Sequence, residues 1–266
     1  MNKPLVTLTS DFGIQTQGCG IMKAVVLEIN PNANVVHLMH GLPDFDISTA
    51  ARTMETVSTI QVGFHVCVVD PGVGTRRKGI AIKTKRGDYL IGPDNGVLIP
   101  ATNILGGCEK VVELSNPKYM KHPVSPIFHG RDVFSPAAGH LSVGVPVEEF
   151  GEELKFEDLV RAPYEEAIVK KDQLEAKVIH INKFGSLHLN VLASAWDQFG
   201  VAKKVSLKFQ NTEIEVPFVK TFGKVPKNNS LIMEDDYGRI EVAINMGSFA
   251  ETYHVSAGDK CLIKKV

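Results

Sequence analysis

Leu5-Val6-Thr7-Leu8-Thr9-Ser10-Asp11-Phe12-Gly13 is the stretch on which the fold turns: residues 5–8 read as a buried strand that runs into a polar loop closed by glycine. Beyond the loop, Met22, Val25, Val26 and Ile29 recur at i, i+3, i+4 and i+7, which is one face of a helix. Pro31 closes that helical region, and residues 35–39 read as a second strand. Ile47, Ala50, Ala51, Met54 and Val57 mark the face of a second helix, and residues 64–69 a third strand. This alternation predicts a βαβ arrangement with a mainly parallel central sheet, whose loops at the carboxyl ends of strands are the usual place for a ligand. Asp11 and Asp70 both stand at such ends.

Further along, residues 79–83 and 89–92 predict a hairpin, and residues 133–143 a helix opening with Ser135-Pro136. The character changes after the charged stretch 148–171. Val205, Leu207 and Phe209, then Ile214, Val216 and Phe218, alternate with polar residues around a turn at Asn211-Thr212. The expected fold class is therefore α/β: an N-terminal α/β domain over residues 1–165 and a smaller, β-rich, barrel-like C-terminal domain over residues 172–266, with the boundary between Pro163 and Gln173. A chain of 266 residues suits one large domain or two ordinary ones.

Composition narrows the function classes. Lys plus Arg number 29 against 30 for Asp plus Glu, so there is no basic excess of the kind that duplex nucleic acid or an anionic membrane calls for. A small-molecule ligand is the better expectation. Cys19, Cys67, Cys108 and Cys261 form no CxxC pair, which suggests neither a zinc knuckle nor a disulfide framework and fits buried thiols in a reducing cytoplasm. The N-terminus lacks the charged-then-apolar run of a signal peptide, and no stretch of about 18 apolar residues occurs. A soluble cytoplasmic protein is expected.

Several familiar chemistries lose their support. Gly18-Cys19-Gly20 has its third small residue misplaced for a dinucleotide fingerprint, and there is no GxxxxGK[ST], HExxH or GxSxG. His37, His40 and His65 fall on or beside strands, where a hydrogen-bonded structural role is the safer reading. Two loops are more informative. Val69-Asp70-Pro71-Gly72-Val73-Gly74-Thr75-Arg76-Arg77 puts a carboxylate at a strand end before a tight turn and two guanidinium groups, and Phe128-His129-Gly130-Arg131-Asp132 puts a histidine on a glycine-flanked loop before a helix. Read singly, the first is a turn with a salt bridge, and the histidine of the second is catalytic only about one time in four. An Asp, an Arg and a His converging on one crevice, however, would orient and deprotonate a water, with Arg favouring an anionic nucleophile while His or Asp takes the proton.

Thr9-Ser10-Asp11-Phe12-Gly13, Val69-Asp70-Pro71-Gly72-Val73-Gly74, Gly92-Pro93-Asp94-Asn95-Gly96 and Phe128-His129-Gly130-Arg131-Asp132, in that order, resemble the S-adenosyl-L-methionine hydroxide adenosyltransferases, relatives of the fluorinase and chlorinase. The resemblance covers nearly the whole chain. It implies hydrolysis of S-adenosyl-L-methionine to adenosine and L-methionine, with that sulfonium as substrate and no cofactor, in a homotrimer whose sites lie between one subunit's N-terminal domain and its neighbour's C-terminal domain. The implied water-activating triad falls on Asp70, Arg77 and His129, and the ribose-binding carboxylate on Asp11. In the halogenases the position matching Asp70 is a tyrosine and that matching His129 is not histidine, so this chain reads as hydroxide-using. A sulfonium leaves as a neutral thioether and needs no general acid, whereas bulk water, with a pKa of about 15.7, is a poor nucleophile. Of the two proton acceptors, His129 is favoured, because a carboxylate paired with a guanidinium is a weaker base.

The resemblance further implies that Phe184 and Phe222 stack on adenine and that Phe45 lies near the ribose and sulfonium, although each Phe read alone would more often be core. It brings Asn95, Asn182, Ser186, Asp236 and Met246 to the substrate, with Asn95-Gly96 also readable as a turn. Departures gather in the C-terminal half. Where the family has Asp and then Phe-Gly-Asn, this chain has Asn182-Lys183-Phe184-Gly185-Ser186, and where it has Asn-Ser before a Gly, this chain has Asp235-Asp236-Tyr237-Gly238. Asp235 or Asp236 would then take over the substrate ammonium, or the substrate is another 5′-substituted adenosine. A metal-free hydrolase is the leading expectation, with halide transfer and a non-catalytic adenosine sensor as its rivals.

Overall fold

The computed structural model describes residues 3–200, 203–210 and 212–266. The chain divides into two compact units, the first ending at Pro163 and the second spanning Tyr164–Val266, each around its own apolar core.

In the first unit β1 (Leu5–Ser10), α1 (Gln17–Ile29), β2 (Asn34–Met39), α2 (Ile47–Glu55), β3 (Phe64–Val68), β4 (Gly79–Thr84), β5 (Tyr89–Pro93), α3 (Ile99–Ile104), β6 (Cys108–Glu113) and α4 (Ser135–Ser142) follow one another. The sheet order is β2-β1-β3-β5-β4-β6, with β1 parallel to β2 and β3, β3 parallel to β5, and β4 antiparallel to both its neighbours. This is the mixed, mainly parallel α/β sheet that the alternating pattern predicts, with the 79–92 hairpin supplying the antiparallel strand. Alternation along β1 sets the layers. Val6 and Leu8 face the core that holds Met22 and Val26 of α1 and Ala137 and Leu141 of α4, and all of these side chains are almost wholly buried. Burying a side chain of the size of Val, Leu or Met stabilises by about 1.5–3 kcal/mol, so this layer outweighs the weak intrinsic helicity of so short a segment as α4.

Thr7 points the other way, where its hydroxyl meets His65 Nδ1 at 2.9 Å while His65 Nε2 lies 3.1 Å from the Asp88 carboxylate. Asp88 also accepts from Gly63 N and from Arg86, so the wholly buried imidazole is tied on both nitrogens. At the end of β2, His40 Nδ1 lies 2.7 Å from Ser10 Oγ and His40 Nε2 lies 2.7 Å from His37 Nδ1, while His40 O accepts from Gly13 N. These histidines hold strand ends and the 10–13 loop in place.

The second unit contains β7 (Ile168–Val169), β8 (Gln173–Ile181), β9 (Leu187–Leu192), α5 (Ala193–Phe199), β10 (Lys204–Lys208), β11 (Glu213–Pro217), β12 (Ser230–Glu234), β13 (Arg239–Ile244), α6 (Phe249–Tyr253) and β14 (Lys260–Lys265). Its antiparallel sheet runs β11-β10-β14-β8-β9-β13-β12, with β7 beside β8. A bridge between Phe218, just past β11, and Ile232 in β12 draws the two ends of that order together, so the sheet is nearly a closed barrel and its edges are covered. Val205, Leu207 and Val216 fill its interior, as their alternation predicts. Of the expected Asn211-Thr212 turn, Asn211 lies outside the described residues.

Burial pushes the His40 imidazole down to about 4 from its ordinary 6.5, with His37 acting in the same direction, and burial likewise lowers His65. The unfolded chain therefore takes up protons that the folded one refuses as pH falls from about 6.5 toward 4, and stability falls with it. Urea titration should give a lower unfolding midpoint at pH 5 than at pH 7.5, with a smaller difference in His40→Asn. A midpoint independent of pH over that interval would contradict this reading of the histidines.

Candidate active site

Strand order reverses about β1, so the loops leaving β1 and β3 turn apart and leave a crevice at their carboxyl ends. A cavity of about 260 Å³ lies there, lined among others by Asp11, Phe45, Asp70, Ile127, Phe128 and His129. Its ionisable groups, Asp11, Asp44, Asp70 and His129, come from four loops, and glycines shape the last two. Gly74, in the loop joining Asp70 to Arg77, has φ +76°, and a Cβ on it would lie 2.4 Å from Pro126 O, so only glycine lets this loop press against the segment leading to His129. His129 itself precedes a single π turn, Gly130–Phe134, that feeds α4, and Gly130 backs onto Met22 and Val68 of the core.

Arg77 joins the other two members of the expected triad. Its Nε donates to Asp70 Oδ1 at 3.1 Å, and its Nη2 donates both to Asp70 Oδ2 and to His129 Nδ1, the latter at 3.1 Å. The Arg77 and Asp70 side chains are only 7% and 5% exposed, and the guanidinium stacks 5.4 Å from the centre of the buried Phe134 ring. A guanidinium has donors only, so His129 Nδ1 must be an acceptor, and the ring is neutral with its proton on Nε2. Burial and the Arg77 charge accordingly hold His129 below the usual histidine value, against an opposing pull from Asp70. The lone pair of Nδ1 is thus engaged. Asp70 uses one lone pair of each oxygen on Arg77 and keeps the others, so the carboxylate, not the favoured imidazole, is the acceptor open to a water in this arrangement.

Asp11 also lines the cavity, and its Oδ2 accepts from Phe45 N at 3.0 Å. Phe45 holds a left-handed φ of 62° and its ring is 68% exposed beside the cavity. Asn95 is placed differently from its neighbours: its Nδ2 donates to Val69 O at 2.9 Å and its Oδ1 accepts from Val97 N, which fixes the backbone just ahead of Asp70, and it is not among the lining residues. Next to it, Asp94 accepts from Val160 N, and burial raises its carboxyl above the usual range. Asp44, Ile127 and Phe128 line the cavity without having stood out in the sequence as ligand contacts. Asp44 adjoins Phe45, and Phe128 opens the His129 motif and packs edge-on against Phe12 at 5.7 Å, which are the signals that mark them.

The second unit has its own cavity, of about 450 Å³, whose lining includes Asn182, Phe184, Ser186, Phe222, Ile244 and Met246. Five of the expected substrate contacts are therefore together here. Asp236 is exposed and outside this lining, while Asp235 is buried and accepts from His188 Nδ1, Tyr237 N and Arg239 N, which commits it to the β12–β13 turn. Among the described residues, no group of three or more His, Cys, Asp or Glu is placed to hold a metal ion.

Family models for the N-terminal and C-terminal domains of SAM hydroxide adenosyltransferases match residues 6–151 and 176–262. A (R)-S-adenosyl-L-methionine hydrolase of Salinispora arenicola is 32% identical over 258 residues, covering 97% of this chain and 96% of the relative. More distantly, a fluorinase of Nocardia brasiliensis is 22% identical over 98% of this chain and 97% of its own length. The crystal structure of an uncharacterized conserved protein from Thermotoga maritima superposes with a TM-score of 0.90 at 29% identity, covering 98% of this chain and all (100%) of that one. The chain belongs to the SAM hydroxide adenosyltransferase family.

The two glycines of the 70–77 loop separate the constraints on it. Gly74→Ala should destabilise the first unit by about 1–3 kcal/mol in urea unfolding, from left-handed strain and the clash with Pro126 O. Gly72→Ala, whose Cβ would meet Arg77 Cβ at an ordinary 3.4 Å, should be nearly neutral. Equal costs at the two positions would show that the approach to Pro126 does not constrain the loop.

Proposed function

We propose that this member of the SAM hydroxide adenosyltransferase family hydrolyses S-adenosyl-L-methionine to adenosine and L-methionine, with Asp70, Arg77 and His129 activating the water. The observation that carries this reading is the Arg77 guanidinium bridging the Asp70 carboxylate and a neutral His129 at the edge of one cavity. A water held by the free lone pairs of Asp70 attacks C5′. The O–C5′ bond forms as the C5′–S bond breaks, the electron pair goes to sulfur, and methionine leaves as a neutral thioether. The water's proton passes to Asp70 and then to solvent. His129 Nε2–H and the Arg77 charge stabilise the developing hydroxide.

Asp11 keeps Oδ1 for the ribose hydroxyls while Oδ2 stays on Phe45 N. A halide would meet the Asp70 carboxylate as a like charge, so water is the better-fitting nucleophile than chloride or fluoride. No metal enters the reaction. Phe184 and Phe222 give the adenine its stacking surface, and in a homotrimer a neighbouring copy's second unit brings that surface to the first cavity. Thiols that are all free at Cys19, Cys67, Cys108 and Cys261 suit work in the cytoplasm, and no helix among the described residues is long and apolar enough to cross a membrane.

Incubation with S-adenosyl-L-methionine, followed by chromatography, should release adenosine equally with and without chelator and give no halogenated nucleoside with added chloride. Asp70→Asn should lower kcat by about 10²–10⁴-fold. The acid limb of kcat/KM should lie below pH 6.5, because protonated His129 turns an N–H against Arg77. Mixing inactive Asp70→Asn with inactive Phe184→Ala and letting subunits exchange should restore activity if sites are shared between copies. No adenosine at millimolar substrate overturns the hydrolase reading, and a mixture that stays inactive overturns the shared site.

A further inference from the structure

The carboxyl ends of β1 and β2 are tied by a chain of side chains that the hydrolysis described above does not use. From Leu5 to Leu8 the two parallel strands pair residue for residue, with Leu8 against His37, but Thr9 lies against Met39, so Leu38 is an extra residue and β2 bulges there. The bulge decides where His40 goes. Residues three apart on a regular strand point to opposite faces, yet His37 Nδ1 and His40 Nε2 meet at 2.7 Å, and His40 Nδ1 meets Ser10 Oγ, also at 2.7 Å. Burial pushes His40 down to about 4, so its ring is neutral near pH 7 and has one donor and one acceptor, enough for one bond on each side. The chain thus runs from the exposed His37 through the buried His40 to the buried Ser10.

Both supports of Asp11 start from His40. On one side, Gly13 N donates to His40 O at 2.7 Å and Phe12 N donates to Ser10 Oγ at 3.3 Å, so the backbone around Asp11 is pinned to His40 directly or through Ser10. On the other, the loop that follows His40 carries Phe45, whose N–H donates to Asp11 Oδ2 at 3.0 Å. That loop ends at Asp46, whose carboxylate accepts from Thr49 N and caps α2, so its far end is fixed as well. The backbone and the carboxylate of Asp11 are therefore set against one residue that does not itself line the cavity.

Resting on the ribose contact of Asp11 proposed above, we infer that Ser10 and His40 are positioning residues for ribose recognition: they hold the Asp11 carboxylate where its Oδ1 meets the sugar hydroxyls. Neither touches the ligand. Their loss costs the affinity that the hydroxyls supply and spares that of the rest of the nucleoside.

The test measures, by calorimetry on the intact protein, the dissociation constants of adenosine and of 2′,3′-dideoxyadenosine. The unaltered protein should bind adenosine about tenfold or more tightly than the dideoxy compound, the size of a charge-assisted hydrogen bond. His40→Leu should weaken adenosine about fivefold or more and leave the dideoxy compound within about twofold. Ser10→Ala, which removes a single oxygen, should do the same, and it keeps the test decisive if His40→Leu does not fold. His40→Asn, whose amide reaches Ser10 but not His37, should recover most of the lost preference. Equal weakening of both ligands, a preference for adenosine that survives Ser10→Ala, or a His40→Asn no better than His40→Leu overturns the inference and leaves the hydrolysis standing. An unaltered protein that binds the two ligands equally, or neither, overturns the ribose contact and this inference with it. Absence of turnover of S-adenosyl-L-methionine in a protein with the expected preferences overturns the hydrolysis alone.

Discussion

Arg77 can only donate hydrogen bonds, and the first unit's chemistry follows from that one limitation. By donating to both oxygens of Asp70 it keeps a nearly buried carboxylate paired, and by donating to His129 Nδ1 it fixes the neutral tautomer with Nε2–H. Without it, a carboxylate would sit uncompensated in a scarcely exposed place, which is among the more costly defects a core can carry. Lysine would not replace it, since one ammonium lacks the planar fork that spans two partners from different loops. The rest of the unit arranges for that fork to reach: the sheet ends three loops at one crevice, Gly74 lets one loop press on another, and Asn95 fastens the backbone ahead of Asp70 from behind.

The two cavities differ in polarity. The first is lined by three carboxylates, Asp11, Asp44 and Asp70, and the His129 imidazole, with Arg77 bonded to Asp70 and His129; the second is lined by aromatic and aliphatic side chains with one carboxamide and one hydroxyl. In the proposed hydrolysis, charge sits where bonds change and the neutral aromatic surface suits a neutral base. Behind the second cavity, His188 Nδ1 faces the Asp235 carboxylate at 2.9 Å and its Nε2 lies 3.4 Å from Asn182 Nδ2, so a buried hydrogen-bond chain orients the neutral amide in the cavity wall.

Much of this is readable from the residues in order, for physical reasons. Period-3.6 and period-2 patterns report which face is buried, and burial is what β1, α1, α2, β10 and β11 have in common. The Asp70–Arg77 pair is legible because it lies within one turn, and His129 because glycine marks its loop. The role of Asn95 is not, since nothing in an Asn-Gly pair says that its amide turns back to Val69 O. Nor is the commitment of Asp235 legible, because that depends on how β9 and β13 register across the barrel and bring His188 beside it. Long-range side-chain pairing follows from strand register, and register is not written at either residue alone.

The most direct test of the account is the protonation state of His129, read by nitrogen NMR of the imidazole in protein labelled at histidine. At neutral pH the account predicts a neutral ring protonated at Nε2, with Nδ1 shifted as an accepting nitrogen, and loss of that Nδ1 signature in Arg77→Met. An imidazolium at neutral pH, or a ring protonated at Nδ1, would mean that Arg77 does not hold His129, and the water-activating arrangement described here would be wrong.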